Sequence, residues 1–322
     1  MPISTIAILY PGAMGASLAH VLSLRLPHLR LLTSLSHRSP STIARAAASG
    51  LVDVPMAQAV QEADVILSVL PPSEAVKLAK EVAGHLGEKK PVYIEANAVS
   101  PETVAHISSI FQPHNTPFLD GSIIGFPATN DLGSIPKLYL SSKPEWGDKL
   151  REVAGVLSGG GDGKGLRVRV MEDAGEGGAS ALKMCYGGIN KGAIGLAALL
   201  VLSAQAHSPG TAKALLDEMI ESQPAFTQKL VKGLPDMVPK AYRWVGEMEE
   251  ISAFITASII DTPSASQHTN SADTFQGLAQ VFQRIADDLK QKEAVEKKDE
   301  EVKGLLDWAE EGKSELERRH PK

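Results

Sequence analysis

Residues 3–26 read ISTIAILYPGAMGASLAHVLSLRL, and this stretch decides the fold of the first half of the chain. The aliphatic run at 6–9 predicts a strand buried on both faces, and apolar residues recur at helical spacing after the glycines. Strand, glycine turn and helix in this order are typical of a site where backbone N–H groups bind the phosphates of a dinucleotide. We therefore predict a pyrophosphate site made of Gly12, Ala13, Met14 and Gly15. Tyr10 stands where the full motif has its first glycine, so an ordinary tight turn is the alternative.

Strands and helices alternate through the first 173 residues. Further strands are predicted at 29–35, 64–70, 91–95, 117–119, 138–141 and 166–170. This alternation predicts a doubly wound parallel sheet, in which ligands bind beyond the carboxyl ends of the strands. Leu70, Pro71 and Asn97 follow two of the predicted strands, so we expect them next to the cofactor. Turn chemistry alone is the alternative explanation for these residues.

Three polar residues at the end of the second strand, Ser36, His37 and Arg38, indicate which dinucleotide binds. A protein that selects NAD usually has an acidic residue here, which holds the ribose 2′-hydroxyl, and this stretch has none. A guanidinium suits a 2′-phosphate because its planar edge donates paired, charged hydrogen bonds. We therefore predict NADP as the cofactor, with NAD as the alternative.

Strand signals stop near residue 174. One helix of roughly thirty residues is predicted at about 175–206, and it carries Lys183. Further helices, broken by prolines that include Pro235, are predicted at 211–222, 225–232, 240–260 and 269–289. These features predict two domains, 1–173 and an all-helical 174–322, with a charged helical tail from about 290. Because a long apolar helix must be covered by other helices or by a second subunit, we expect a homodimer.

Composition and charge exclude several classes of function. The 322 residues are 43% hydrophobic and 5% aromatic, and the net charge of −6 gives no reason to expect nucleic-acid binding. A single cysteine provides no disulfide framework, and the histidines show no spacing of metal ligands, so no metal site is predicted. The longest apolar run, 193–202, is shorter than the ~18 residues of a membrane span, and the first strand follows Met1 too closely for a signal peptide. We expect a cytoplasmic protein without a membrane partner.

Five motifs carry a resemblance to a known family: PGAMG, HRS, EANAVSP, DGSIIG and GEGGASALKMC. They are similar, in order, to GLGxMG, NRT or NRS, DxSTxxP, DxPVSGG and GxGxxxKxxNN of the β-hydroxyacid dehydrogenases, which include 3-hydroxyisobutyrate and 6-phosphogluconate dehydrogenases. More narrowly, KMCYGGINKG and AYRWVGEMEEIS resemble a branch of 6-phosphogluconate dehydrogenase C-terminal-domain-like proteins. The resemblance spans roughly residues 3–258. It implies a Rossmann-like N-terminal domain joined by a long interdomain helix to an all-helical C-terminal domain.

The resemblance also implies hydride transfer between a nicotinamide and a small hydroxy acid or alcohol, or the matching ketone. The lysine of the family motif is the general acid/base, and by position it is Lys183. Burial beside a helix N-terminus would bring the pKa of a lysine closer to neutrality. The substrate-binding residues are expected to be Ser122, Gly125, Tyr186, Gly187, Asn190 and Lys191, with Arg243, Trp244 and Glu247 as further candidates.

This sequence departs from the family pattern in its substrate motifs. Tyr186 and Gly187 replace the asparagines that follow the family lysine, Ile124 replaces a serine and Phe126 replaces a glycine. These changes leave two alternatives open: an imine or keto reductase on the same fold, or an NADP-binding regulatory protein without turnover.

Overall fold

The computed structural model describes residues 2–36, 38–160, 163–260, 271–294 and 300–319. The chain divides into two compact units, Met1–Met184 and Cys185–Lys322. This division lies inside the long helix, whereas the sequence predicted a boundary just before it.

A sheet of eight strands forms the centre of the first unit. The strands are β1 (Thr5–Leu9), β2 (Arg30–Thr33), β3 (Val52–Asp53), β4 (Val65–Ser68), β5 (Val92–Glu95), β6 (Phe118–Ile124), β7 (Lys137–Ser141) and β8 (Arg167–Val170). Their order in the sheet is β3-β2-β1-β4-β5-β6-β7-β8. The chain therefore reverses its direction of travel across the sheet between β1 and β4, and sheets of this class bind ligands at such a switch point.

Helices cover both faces of this sheet. They are α1 (Ala13–Arg25), α2 (Pro40–Ala48), α3 (Met56–Glu62), α4 (Ala75–Gly84), α5 (Pro101–Phe111) and α6 (Gly147–Leu157). Ile6 and Ile8 enter a core with α1 and α6, whereas Ala7 and Leu9 enter a second core with α3, α4 and α5. Successive side chains of a strand point to opposite faces, so β1 is apolar throughout because both faces are buried. The predicted doubly wound sheet is confirmed.

Three details of the sheet differ from the prediction. β7 runs antiparallel to β6, because residues 125–136 between them form no crossover helix and the chain simply turns back. The motif DGSIIG lies largely within β6, where the sequence had predicted that it follows a shorter strand. The two residues of β3 are too few to give a periodic signal.

The second half of the chain is helical, as predicted. Its helices are α7 (Gly178–His207), α8 (Pro209–Ser222), α9 (Pro224–Met237), α10 (Ala241–Ile255), α11 (Asp273–Ala294) and α12 (Glu300–Arg319), with a π-helical turn (Thr256–Ile260) after α10. The predicted break at Pro235 is wrong, since Pro235 lies in the last turn of α9. Leu234 and Met237 on either side are fully buried, and this packing offsets the hydrogen bond that proline cannot make.

The charged segment at the end of the chain contributes to the core of the second unit. In α12, Val302, Leu305 and Trp308 are buried, and the indole Nε1 of Trp308 donates to the carbonyl of Ala212 on α8 at 3.3 Å. The charged residues of α12 therefore lie on the solvent-facing side of a packed helix.

Among the described residues, α7 alone is long and apolar enough to cross a membrane by length and composition. A core helix of a soluble protein satisfies the same criterion, so one such helix is weak evidence for a membrane span.

Candidate functional site

The glycine turn after β1 has the geometry of a phosphate-binding site. Gly12 is the N-cap of α1, and the first bond within the helix runs from Ala16 N to Gly12 O, so the three preceding N–H groups point out of the helix end. A Cβ on Gly12 would meet nothing within 4 Å, which leaves this approach open. A Cβ on Gly15 would lie 3.2 Å from the Cβ of Pro11, so Gly15 serves the close packing of helix on strand. These residues fit the pyrophosphate of a dinucleotide.

Tyr10 takes the place of the first motif glycine and adopts the backbone conformation that glycine would. Its φ is +51°, a value that few residues other than glycine adopt. Its hydroxyl donates to Glu81 Oε1 at 3.0 Å, and the guanidinium carbon of Arg38 lies 4.0 Å from the centre of its ring. Burial and the bond to Glu81 raise the pKa of Tyr10 to about 12, so the phenol stays neutral.

Ser36 and Arg38 lie between β2 and the start of α2. Ser36 and Arg38 are exposed, and His37 lies outside the described residues. Ser39 caps α2 by accepting a bond from Thr42 N at 3.3 Å. Arg38 thus directly precedes the capped N-terminus of α2, and a helix N-terminus favours negative charge.

Asn97 joins the carboxyl ends of β4 and β5. Its Oδ1 accepts from Leu70 N at 2.6 Å, and its Nδ2 donates to Ser68 Oγ at 2.8 Å. Asn97 is buried, so its side chain fixes the turn at Leu70 and Pro71, and a contact of these residues with a cofactor stays a prediction.

One row of paired residues crosses five strands at this edge. Pairing in register joins Leu9, Ser68, Glu95, Asp120 and Ser141, in that order, from β1 to β7. Three strand spacings separate β1 from β6, roughly 14 Å in all. The glycine turn after β1, the turn at Leu70 and Pro71 after β4, and Asp120 on β6 therefore lie at the same edge of the sheet.

Asp120 ties the first turn of α7 to this row. Its Oδ2 accepts from Ser180 N at 2.9 Å, and its Oδ1 accepts from the Ser180 hydroxyl at 2.6 Å. Ser141 Oγ donates to Asp120 at 3.3 Å and accepts from Ala179 N at 3.0 Å. A carboxylate at this end of a helix satisfies N–H groups that have no partner within the helix.

Lys183 follows Ser180 by three residues on α7, so it lies almost one turn beyond this anchor. The side chain of Lys183 is half-buried. It belongs to the same compact unit as the sheet and the glycine turn.

The loop before α7 is also held by specific contacts. Glu176 accepts from the Ser108 hydroxyl at 2.6 Å and pairs with Lys143 at 3.4 Å. Gly177 has φ of +84°, and a Cβ there would lie 3.0 Å from the Cβ of Pro101. Gly177 of the GEGG sequence therefore permits a close approach of this loop to α5.

Two buried carboxyl groups stand side by side in the row. Burial raises the pKa of Glu95 to about 8 and that of Asp120 to about 6. The neighbouring Asp120 charge raises the pKa of Glu95 further, while bonds from Asn97 and Ser68 lower it. Glu95 is therefore largely protonated at neutral pH, whereas Asp120 carries the charge that anchors α7.

Ser122 and Gly125, both predicted to bind substrate, lie at the far end of β6. Ser122 is fully buried, and its hydroxyl has no hydrogen-bond partner among the described residues. Gly125 has φ of +124° and approaches Pro136 closely, which indicates a role in the turn. Phe126 is exposed.

The remaining predicted substrate residues lie in the second unit, where some of them contact one another in two separate groups. Lys191 pairs with Glu247 and stands 5.3 Å from the ring centre of Trp244. Asn190 donates to the Tyr186 carbonyl at 2.8 Å and accepts from Lys229 at 2.7 Å. Tyr186 is exposed, Arg243 is exposed, and Gly187 lies beside Ile251.

Sequence reasoning missed the parts played by Asp120, Glu95 and Glu81. The first two had a signal, since each is a lone acid in an apolar strand, FLDGSII and VYIE, and a buried acid needs partners. Glu81 had none, because it is one of many charged residues on a helix surface.

Comparisons with known proteins agree on the fold. A conserved protein of unknown function, described as structurally similar to 3-hydroxyacid dehydrogenases, is 23% identical with a TM-score of 0.61, covering 88% of this chain and 97% of its own. Mycobacterium tuberculosis 3-hydroxyisobutyrate dehydrogenase with L-serine is 18% identical with a TM-score of 0.59, covering 89% and 94%. Psf3 in complex with NADP⁺ and 2-OPP is 15% identical with a TM-score of 0.57, covering 87% and 94%. At these identities the likeness concerns the fold.

A family model described as a domain of unknown function, DUF1932, matches residues 206–285. No curated protein sequence matches the chain significantly. The fold, with a Rossmann-like first half and a helical second half, is that of the structures above. The resemblance found in the sequence motifs is therefore confirmed at the level of the fold: the chain has the fold of 3-hydroxyacid dehydrogenase-like structures, and residues 206–285 match DUF1932.

Proposed function

We propose that this protein is an NADP-dependent oxidoreductase that interconverts a small hydroxy acid or alcohol and the matching ketone, with Lys183 as general acid/base. The observation that carries the proposal is the row from Leu9 to Ser141. It supports one site in which the glycine turn and the anchored start of the Lys183 helix stand at the same edge of the sheet.

The chain supplies binding and proton transfer, and the nicotinamide, when bound, would accept or return a hydride. The N–H groups at the start of α1 would hold the pyrophosphate, and Arg38 would hold a 2′-phosphate. As the carbon–hydrogen bond of the alcohol breaks, the amine of Lys183 takes the hydroxyl proton, which leaves a carbonyl. In the reverse direction the Lys183 ammonium returns that proton to the oxygen.

Asp120 supports this assignment because it holds the backbone that carries the lysine. The carboxylate binds both the amide and the hydroxyl of Ser180. A fixed first turn limits the positions of the Lys183 amine, and proton transfer depends on such positioning.

Two other functions remain candidates. Ile124 and the exposed Phe126 replace polar or small residues of the family substrate motif, and this favours a substrate without a carboxylate, such as a ketone or an imine. The same replacements suit a regulatory protein that binds NADP without turnover.

Nucleotide titration and a turnover screen separate these functions. We expect NADPH to bind more tightly than NADH, as measured by nucleotide fluorescence, and NADPH or NADP⁺ to turn over with a member of a hydroxy-acid, sugar-acid, ketone and imine panel. Tight NADPH binding without turnover across the panel would favour the regulator, and equal affinity for NADH would contradict the role of Arg38.

We also propose that the protein is a cytoplasmic homodimer. Ile189, Leu196 and Leu200 on α7 are 72%, 53% and 52% exposed, and they share one face of that helix. Such a face on a soluble chain is usually covered by a partner. Light scattering after size exclusion should give twice the monomer mass, and the double variant Ile189→Glu, Leu196→Glu should give the monomer mass; a monomeric wild type would contradict this proposal.

A further inference from the structure

Tyr10 is unusual because it is a bulky residue at the position of the first motif glycine in the glycine turn after β1. A side chain at φ of +51° is strained, and such a conformation persists only where its surroundings hold it. Here α4 supplies Glu81, which accepts from the phenol, and the segment after β2 supplies Arg38, which lies over the ring. Tyr10 thus connects three elements around the switch point.

The contact with Tyr10 constrains the side chain of Arg38. The guanidinium carbon lies over the ring, 4.0 Å from its centre, and a cation–π contact of this kind is electrostatic and does not require a hydrogen bond from the guanidinium. A turn bond from Arg38 N to Leu35 O, 3.1 Å long, fixes the backbone of the same residue. The side chain of an exposed arginine would otherwise sample many rotamers, and binding would have to order it.

The charges around Arg38 favour an anion. Residues 34–42 contain no acid, and α2 begins at Pro40, so its positive end lies beside Arg38. Asp53 accepts from Leu35 N at 2.9 Å, and Glu81 accepts from the Tyr10 hydroxyl. Both acids accept from neutral donors and keep their negative charge, so the attraction for an anion comes from the Arg38 guanidinium and the N-terminus of α2.

We infer that Tyr10 is a specificity-determining residue. Held by Glu81, its ring fixes the guanidinium of Arg38 in the position that takes the 2′-phosphate of an adenosine nucleotide. This inference rests on the proposed function, because it assumes that the glycine turn binds such a nucleotide. It adds that the selection of the 2′-phosphate depends on the residue that replaces the first motif glycine.

The test uses two nucleotide fragments, so that no catalytic turnover is needed. Calorimetric titration of the full-length protein with 2′,5′-ADP and with 5′-AMP gives a selectivity ratio for the 2′-phosphate. Tyr10→Gly suits the test because glycine tolerates the positive φ and the variant should fold. We expect Tyr10→Gly to lower the ratio about two- to fivefold, the effect of one exposed cation–π contact, with little change in the affinity for 5′-AMP. Arg38→Ala should abolish the selectivity.

Two further variants test the arrangement. Tyr10→Phe keeps the ring but loses the bond to Glu81, and Glu81→Gln weakens the same bond; both should lower the ratio less than Tyr10→Gly. Glu88→Gln removes a negative charge from an exposed site after α4 and should leave the ratio unchanged.

The outcomes separate this inference from the proposed function. An unchanged ratio in Tyr10→Gly, with selectivity still lost in Arg38→Ala, would overturn the role of Tyr10 alone. A wild-type protein that binds neither fragment nor NADPH would overturn both.

Discussion

Replacement of Lys183 by methionine is expected to lower kcat about a hundred- to ten-thousandfold, the usual contribution of a general acid/base. Methionine fills much of the volume of the lysine stem without an ionisable group, so the half-buried start of α7 should keep its packing. The affinity for NADPH should stay nearly unchanged, because the predicted phosphate contacts come from the turn after β1. Steady-state kinetics on the best substrate of the panel, together with nucleotide titration, measure both effects.

The control for this variant is Lys149→Met. Lys149 lies on α6, is largely exposed and pairs with Glu152, so its replacement removes the same charge away from the site. Full activity of Lys183→Met would remove the lysine from the mechanism. Loss of NADPH affinity together with turnover would indicate a structural role instead.

Replacement of Glu95 by glutamine is expected to stabilise the protein at neutral and alkaline pH. Burial raises the pKa of Glu95 from 4.5 to about 8, so the folded protein retains a proton that the unfolded chain releases. Stability is therefore lost as the pH rises from about 4.5 to about 8, and the loss at pH 7 is on the order of 3 kcal/mol. Glutamine stays neutral and resembles the protonated acid in shape, so the variant should avoid this cost.

Urea unfolding at pH 5.5 and pH 7.5 measures the effect. The gain in free energy of unfolding from Glu95→Gln should be about 1 kcal/mol at pH 5.5 and about 4 kcal/mol at pH 7.5, whereas the exposed Glu88→Gln should give no gain at either pH. The pKa of Asp120 is also raised, from 3.8 to about 6, so this group lowers the free energy of unfolding as the pH rises through that range. The wild type and the Glu95→Gln variant share this effect, and it cancels in their difference. A variant that is less stable than the wild type at pH 7.5 would show that the charged form of Glu95 is needed.

The fold of residues 3–26 was predicted correctly because each of its elements can be recognised from residues that are neighbours in the sequence. An apolar strand, a glycine turn and a helix each have a periodicity of their own, and the 30-residue α7 likewise follows from composition and spacing. The direction of β7 has no such signal, since it depends on the connection before it rather than on the strand itself. Pro235 shows the opposite case. A proline usually breaks a helix, but here the burial of Leu234 and Met237 keeps Pro235 within α9.

The candidate site was predictable only in part, for a related reason. The motifs indicated Gly12 and Lys183, but the contacts that orient them join residues far apart in the chain. Ser180 and Asp120 are separated by sixty residues in the sequence, and Tyr10 and Glu81 are separated by seventy-one. Spacing along one sequence says nothing about such pairs, so the anchor of α7 and the partner of Tyr10 required coordinates.

The packing of α12 on earlier helices means that the core of the second unit can be completed only after this helix has been synthesised. The side-chain amide of Gln205 on α7 donates to the carbonyl of Gly304 on α12 at 2.8 Å, and Gly312 of α12 packs closely on Val231 of α9 and Leu216 of α8. During synthesis these earlier helices leave the ribosome with their apolar sides uncovered until residues 300–319 emerge.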